Sequence, residues 1–168
     1  MKMLFLAVLA PLLQLAAAAP APGPAPAAEL TFPRDFNSTD LLTKRGDGSG
    51  VHLVNCDGFG GEGTIIPPNS MVVYCPNDGS CSGFPSNDNR CVMSQNFLFT
   101  WEGQAQACTF PTGVRFAWFV NSNAQSQPNF AHVGDGGNQF RAYAGFKDDK
   151  HVMFNQGSSP CRSVYYFV

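Results

Sequence analysis

The chain is poor in charge, and what charge it has is scattered. Asp, Glu, Lys and Arg together make up 13% of the residues, and nowhere do Lys and Arg gather into a patch. Binding along a phosphate backbone needs several converging cations, so no nucleic-acid partner is expected. A basic membrane-surface helix is missing for the same reason. No C-x2-C pair occurs, and His52, His132 and His151 do not accompany cysteines at zinc-site spacing. Asp148-Asp149 and Gly134-Asp135-Gly136 do not follow the D-x-[DN]-x-[DN]-G spacing of a calcium loop, and read as solvated turn carboxylates. Neither a metal nor a cofactor is expected. No G-x-S-x-G elbow is present, and no segment keeps a 3.6-residue amphipathic period over three turns, which argues against a helical core.

What is present begins with an ordered set of addresses. Lys2 precedes an apolar run from Met3 to Leu15, and Ala16-Ala17-Ala18 supply small residues for cleavage. Pro11 and Gln14 interrupt that run, which is short for a bilayer span of about 20 residues. Residues 1–18 are therefore expected to be a signal peptide, and the product is expected to be extracellular. The repeat Pro20-Ala21-Pro22-Gly23-Pro24-Ala25-Pro26 cannot bury much and reads as extended chain. It opens a propeptide, 19–45, that ends in the dibasic site Lys44-Arg45 before the glycine-rich stretch 46–50. The only N-glycosylation sequon, at Asn37, lies within this propeptide.

Residues 46–168 suit a single domain. They carry nine carboxylate side chains against six Lys and Arg, a formal charge of −3. All six cysteines fall here: Cys56, Cys75, Cys81, Cys91, Cys108 and Cys161. An even set in an exported chain predicts three disulfides, with 15 pairings open in principle. The preferred set is Cys81–Cys91, closing the polar loop 82–90, Cys56–Cys161, tying the first strand to the last, and Cys75–Cys108. No free thiol is then left for catalysis.

Alternation of apolar and polar residues predicts strands at Val51–Asn55, Met71–Tyr74, Phe97–Trp101, Ala105–Phe110, Gly113–Asn121, Gln139–Phe146, His151–Phe154 and Ser163–Val168. Asn77-Asp78-Gly79, Asp135-Gly136-Gly137-Asn138, Asp148-Asp149 and Asn155-Gln156-Gly157 read as turns between them. Phe97, Phe99, Phe116, Trp118 and Phe140 fall on alternating positions and are assigned to the core. The predicted fold is all-β: a single antiparallel β-sandwich or small β-barrel stabilised by disulfides.

Two exposed segments are candidates for meeting a partner. The stretch from Asp57 to Asn69 combines Phe59, Gly60, Gly61 and Glu62 with Ile65-Ile66-Pro67-Pro68. Glycine permits close backbone approach and the Pro-Pro step holds an extended edge. Disulfides at Cys56 and Cys75 would preorganise this loop. Its isoleucines either project or fold back onto the core. The second segment, 121–129, offers Gln125 and Gln127 and is expected to share a rim with the Gly134–Asn138 turn. Enzyme readings are weaker. Glu62 and Glu102 are the only glutamates after the dibasic site, and Glu102, Arg115 and His132 could supply a ribonuclease-like acid, cation and base. A sugar-binding reading would use Trp101 or Tyr143 as an exposed stacking surface.

The leader, the propeptide, Lys44-Arg45 and a six-cysteine domain together resemble small secreted effector proteins of filamentous, plant-associated fungi. Val51-His52-Leu53-Val54-Asn55-Cys56 and Cys75-Pro76-Asn77-Asp78-Gly79-Ser80-Cys81 carry the resemblance. It implies release into the host apoplast, where such proteins block papain-like cysteine proteases, damage cells or bind sugars. The leading expectation is a monomeric, non-enzymatic virulence effector that binds and inhibits an extracellular host protease. The chain has no Q-x-V-x-G wedge, so inhibition would use another surface. The alternatives are a carbohydrate-binding, antimicrobial or cytotoxic module, or a small secreted ribonuclease or glycosidase.

Overall fold

The computed structural model describes residues 48–61 and 64–168. The expected signal peptide and propeptide, with Asn37, Lys44 and Arg45, and Glu62 lie outside the described residues. Eleven strands follow one another: β1 Gly50–Cys56, β2 Phe59–Gly61, β3 Thr64–Ile66, β4 Asn69–Cys75, β5 Arg90–Ser94, β6 Ala105–Thr109, β7 Arg115–Val120, β8 His132–Gly137, β9 Ala142–Lys147, β10 Val152–Gln156 and β11 Ser159–Phe167. Three short 3-10 turns are the only helical pieces among the described residues.

Nine strands form one antiparallel sheet in the order β5-β4-β1-β11-β9-β8-β7-β6, with β10 also paired to β11. No ladder joins the terminal strands β5 and β6; the Cys91–Cys108 disulfide bridges them instead. The result is a nearly closed antiparallel barrel with a covalent seam. β2 and β3 form a separate hairpin between β1 and β4.

The interior follows the period of two. On β7, Phe116, Trp118 and Val120 are buried while Arg115 and Phe119 face out. Val51, Leu53, Val72, Tyr165 and Phe167 meet them across the barrel in one cluster. A second, outer cluster lies on the other face of β1, β4 and β11, where Val54, Met71 and Val73 are covered by Met153 and Phe154 of β10. That second layer explains why β1 is buried on both faces.

Several expectations need correction. Two of the preferred disulfides are wrong: Cys56–Cys161 forms, but Cys75 pairs with Cys81 and Cys91 with Cys108. Sequence distance suggested closing the 82–90 loop; the barrel instead brings its two edge strands together and bridges those. Phe97–Trp101 is not a strand. The Phe99 N–H donates to Ser70 Oγ (2.9 Å) and the Trp101 indole to Asn55 Oδ1 (3.0 Å), so side chains anchor this stretch without a ladder. Phe99 and Trp101 pack on the interior, but Phe97 is exposed, as is Phe140.

Residues 134–137 are strand, not turn. Their glycines serve close packing: a Cβ at Gly136 would stand 2.8 Å from the Phe116 ring and 3.0 Å from that of Phe167. Gly145 on β9 is similar, since a Cβ there would lie 2.5 Å from the Phe167 ring. The strand predicted at Gln139 begins only at Ala142, and β5 was not anticipated.

Candidate functional site

Strand direction alternates along the sheet, so β1, β5 and β7 all run toward one end of the barrel. Three of the connections that follow strands running this way are the β2–β3 hairpin, the segment 95–104 and the segment 121–131. Together they carry five exposed large apolar side chains: Phe59, Ile65 (85% exposed), Phe97 (60%), Leu98 and Phe130 (59%). Large apolar side chains gathered on one surface mark interaction sites.

The hairpin is fixed at its base. Cys56, the last residue of β1, lies opposite Asn69 of β4 and is bonded to Cys161. The Asp57 N–H donates to the Pro160 carbonyl (3.0 Å), and Asn69 Nδ2 donates to Gln156 Oε1 (2.8 Å). Phe59 pairs with Ile66 and Gly60 with Ile65. Ile65 therefore stands opposite a residue with no side chain to shield it. Ile66 turns the other way and lines a groove of about 280 Å3 with Pro67, Met71, Phe84, Arg90 and Val92. The two isoleucines thus divide the two expected roles. Cys75 does not clamp this loop; it lies at the far end of β4.

The second segment is also held. The Lys147 ammonium donates to the carbonyls of Gln125 (2.7 Å) and Gln127 (2.5 Å), and Gln125 Nε2 donates to Glu102 (2.7 Å). Gln125 thus spends its amide on its own chain. Phe130 has φ 67°, in the left-handed region that a bulky residue adopts at a cost of roughly 1–3 kcal/mol. Its N–H donates to the Lys147 carbonyl (2.7 Å), holding that conformation in place. The expected rim between 121–129 and a Gly134–Asn138 turn does not form, because 134–137 are strand. Hairpin and 121–131 segment nevertheless leave the same end.

The ribonuclease-like trio is not assembled. Glu102 accepts a hydrogen bond from the Tyr165 hydroxyl (2.5 Å), and His132 pairs with Asp135 (3.2 Å). Arg115 starts β7, whose other end reaches the Glu102 neighbourhood through Gly103 N–H and the Val120 carbonyl (2.8 Å). Five residue steps separate those ends, about 17 Å. Burial and the Glu102 carboxylate hold the Tyr165 hydroxyl well above the usual phenol range. The sugar-binding reading loses both its rings, since Trp101 and Tyr143 are buried.

A polar cluster that sequence reasoning did not assemble lies on the outer face of β1 and β11. Buried His52 contacts Ser163 Oγ through Nδ1 (2.9 Å) and Asp78 through Nε2 (2.7 Å), a Ser–His–Asp string. Ser163 is fully buried, so no substrate reaches its hydroxyl as the chain stands. Asp148, Asp149 and His151 adjoin it, in the link between β9 and β10. His151 Nδ1 lies 2.8 Å from Asp149 Oδ1 and 3.2 Å from Asp148 Oδ1. The hydrogen bond with His151 lowers the Asp149 carboxyl. Burial opposes charge on His151, but its bond to Asp149 and the field of both carboxylates raise it overall. Tyr166 is raised first by burial, then by Asp148 and Asp78. Only alternation of His52 with core residues hinted that it would be buried. Comparison with protein-family models, curated proteins and solved structures finds no match for this chain.

Proposed function

We propose that the protein is a secreted, non-enzymatic effector that uses the apolar end of its barrel to dock on an extracellular host protease and inhibit it. The observation that carries the reading is the exposed Ile65 on a hairpin locked at its base, set at the end that also carries Phe97, Leu98 and Phe130. A fixed loop reduces the ordering cost of binding, and a projecting isoleucine is the side chain a protease subsite accepts. The locked base also favours a slowly cleaved pose over a substrate-like one. The absence of charge on these side chains suits an apolar cleft better than an acidic or basic one.

The test expresses the full chain through a eukaryotic secretory route and assays the purified product against papain-like and serine proteases from plant apoplast. Tight inhibition of at least one papain-like enzyme is expected. Burying Ile65 would contribute about 1.5–3 kcal/mol, so Ile65→Asp should weaken inhibition by roughly 10-fold to 100-fold. No inhibition across the panel, or inhibition unchanged by Ile65→Asp, would overturn this reading.

A further inference from the structure

We propose that the groove beside the β2–β3 hairpin binds a small carboxylate with an apolar tail, a medium-chain alkyl carboxylate of which decanoate is the representative. Ile66 and Pro67 line it from the hairpin, Met71 and Val92 from the β4–β5 ladder, where the two are paired, and Phe84 from the loop before β5. Met71 is buried, while Phe84 and Val92 are each 46% exposed and supply apolar area for a tail to cover. The volume of about 280 Å3 is roughly twice that of an apolar cavity of about 150 Å3 that holds benzene, so a body of about twelve non-hydrogen atoms fits.

The observation that points to an anion is the state of Arg90. It is the one charged side chain lining the groove among the described residues, with no Asp or Glu beside it there. Its guanidinium lies over the Phe84 ring at 4.6 Å and donates to the Pro85 carbonyl (3.1 Å) and to Asn87 Oδ1. All three partners are neutral, and no carboxylate forms an ion pair with it among the described residues. These contacts hold the guanidinium in place and use two of its five N–H groups. Phe84 is itself held edge-on against Phe154 at 5.6 Å. On the hairpin side Asn69 Nδ2 donates to Gln156 Oε1 (2.8 Å), and the Gln156 amide N–H groups have no acceptor among the described residues. A fixed cation with neutral partners, set with amide donors in an apolar groove, is complementary to an anion whose remainder is apolar. Inorganic phosphate would meet the guanidinium but leave the apolar walls wet, and an alkyl ammonium would set two cations together. Ile65 stands on the opposite face of the hairpin from Ile66, so the site does not depend on the protease reading.

The experiment titrates the secreted product of the full chain with sodium decanoate below its micelle concentration and, separately, with decanol, decyltrimethylammonium and inorganic phosphate. Calorimetry reads affinity, and methyl resonances read the site. One decanoate per chain is expected, moving the Met71 and Ile66 methyl resonances and leaving those of Ile65 and Leu98 unmoved. Decanol, decyltrimethylammonium and phosphate should each bind at least about tenfold more weakly. Val92→Glu sets a carboxylate in the groove at an exposed position, leaves the Arg90 side chain itself unaltered, and should weaken decanoate by at least about tenfold. Arg90→Gln should do the same while leaving decanol unchanged. The ligand series reads the site in the unmodified chain, without any variant. Absence of saturable decanoate binding, equal affinity for decanol or phosphate, full affinity in Val92→Glu, or resonance changes at Ile65 and Leu98 instead would each overturn the proposal.

Discussion

The inner and outer clusters are built from different materials. Inside the barrel, Trp101, Trp118, Phe110, Phe116, Phe167, Tyr143 and Tyr165 fill the space with rings. Phe116 contacts Trp118, Tyr143 and Phe167 at centroid distances of 5.5–5.8 Å. The outer cluster has one Phe, two Met and two Val, and the rest is cystine: Cys56–Cys161 and Cys75–Cys81, with Cys81 at its margin. An enclosed aromatic core buries enough area to hold itself, since each large side chain contributes about 1.5–3 kcal/mol. A thin layer on the outside of a sheet cannot, and covalent links substitute for missing volume.

Removing disulfides one at a time is the largest available disturbance of that contrast. In the chain-entropy picture the loss depends on loop length. Cys56–Cys161 spans 105 residues, Cys91–Cys108 spans 17 and Cys75–Cys81 spans 6. The paired Cys→Ala variants should lose about 5, 3 and 2 kcal/mol in that order, read from urea unfolding midpoints. If the Cys91–Cys108 variant proves weakest, the unladdered seam between β5 and β6 limits stability more than the outer layer does.

Tyr165→Phe probes the inner cluster at its one polar joint. The fully buried ring reaches Glu102 with a charge-assisted hydrogen bond of 2.5 Å. Its loss should cost about 1.5–3 kcal/mol near neutral pH. Because the folded chain holds the Tyr165 proton more tightly than the unfolded chain, with its ordinary value of 10.0, this contribution is intact below that pH. It is lost as pH rises toward the higher folded value. The stability gap between wild type and Tyr165→Phe should therefore narrow above pH 10. A gap that widens there would mean Tyr165 ionises more easily in the folded chain.

The same contrast explains what could be read in advance. The all-β class and the burial of Phe116 and Trp118 were legible because β7 alternates cleanly with one face inward. Cys56–Cys161 was legible because the first and last strands pair. The other two bridges were not, since only the strand order says that β5 and β6 meet. Gly134 and Gly136 look the same in a sequence whether they turn the chain or make room, the first for the Phe119 carbonyl and the second for the rings of Phe116 and Phe167. The loop from Asp57 to Asn69 was recognisable as exposed, but its hairpin pairing arises from the β1–β4 ladder that closes it. His52 lies far along the chain from Asp148 and His151, and only the pairing of β1 with one edge of β11 and of β9 and β10 with the other brings them together.

The smallest expected effect has opposite signs in the two clusters. Among the described residues two buried polar atoms lack a hydrogen-bond partner: Trp118 Nε1 inside the barrel and Ser159 Oγ at the start of β11, beside the outer cluster. Leaving such a group dry costs about 1–3 kcal/mol, so deleting it can stabilise. Ser159→Ala removes little more than the oxygen and keeps the strand pairing with Gln156, and a gain of up to about 1 kcal/mol is expected. Trp118→Phe removes the other orphan but also half a ring from between Trp101 and Phe116. The cavity left there should outweigh the gain, for a net loss of about 1–2 kcal/mol. Thermal unfolding of both variants decides the matter. Stabilisation by Trp118→Phe would mean that the aromatic interior is less tightly filled than its ring contacts indicate, and that polar satisfaction limits both clusters alike.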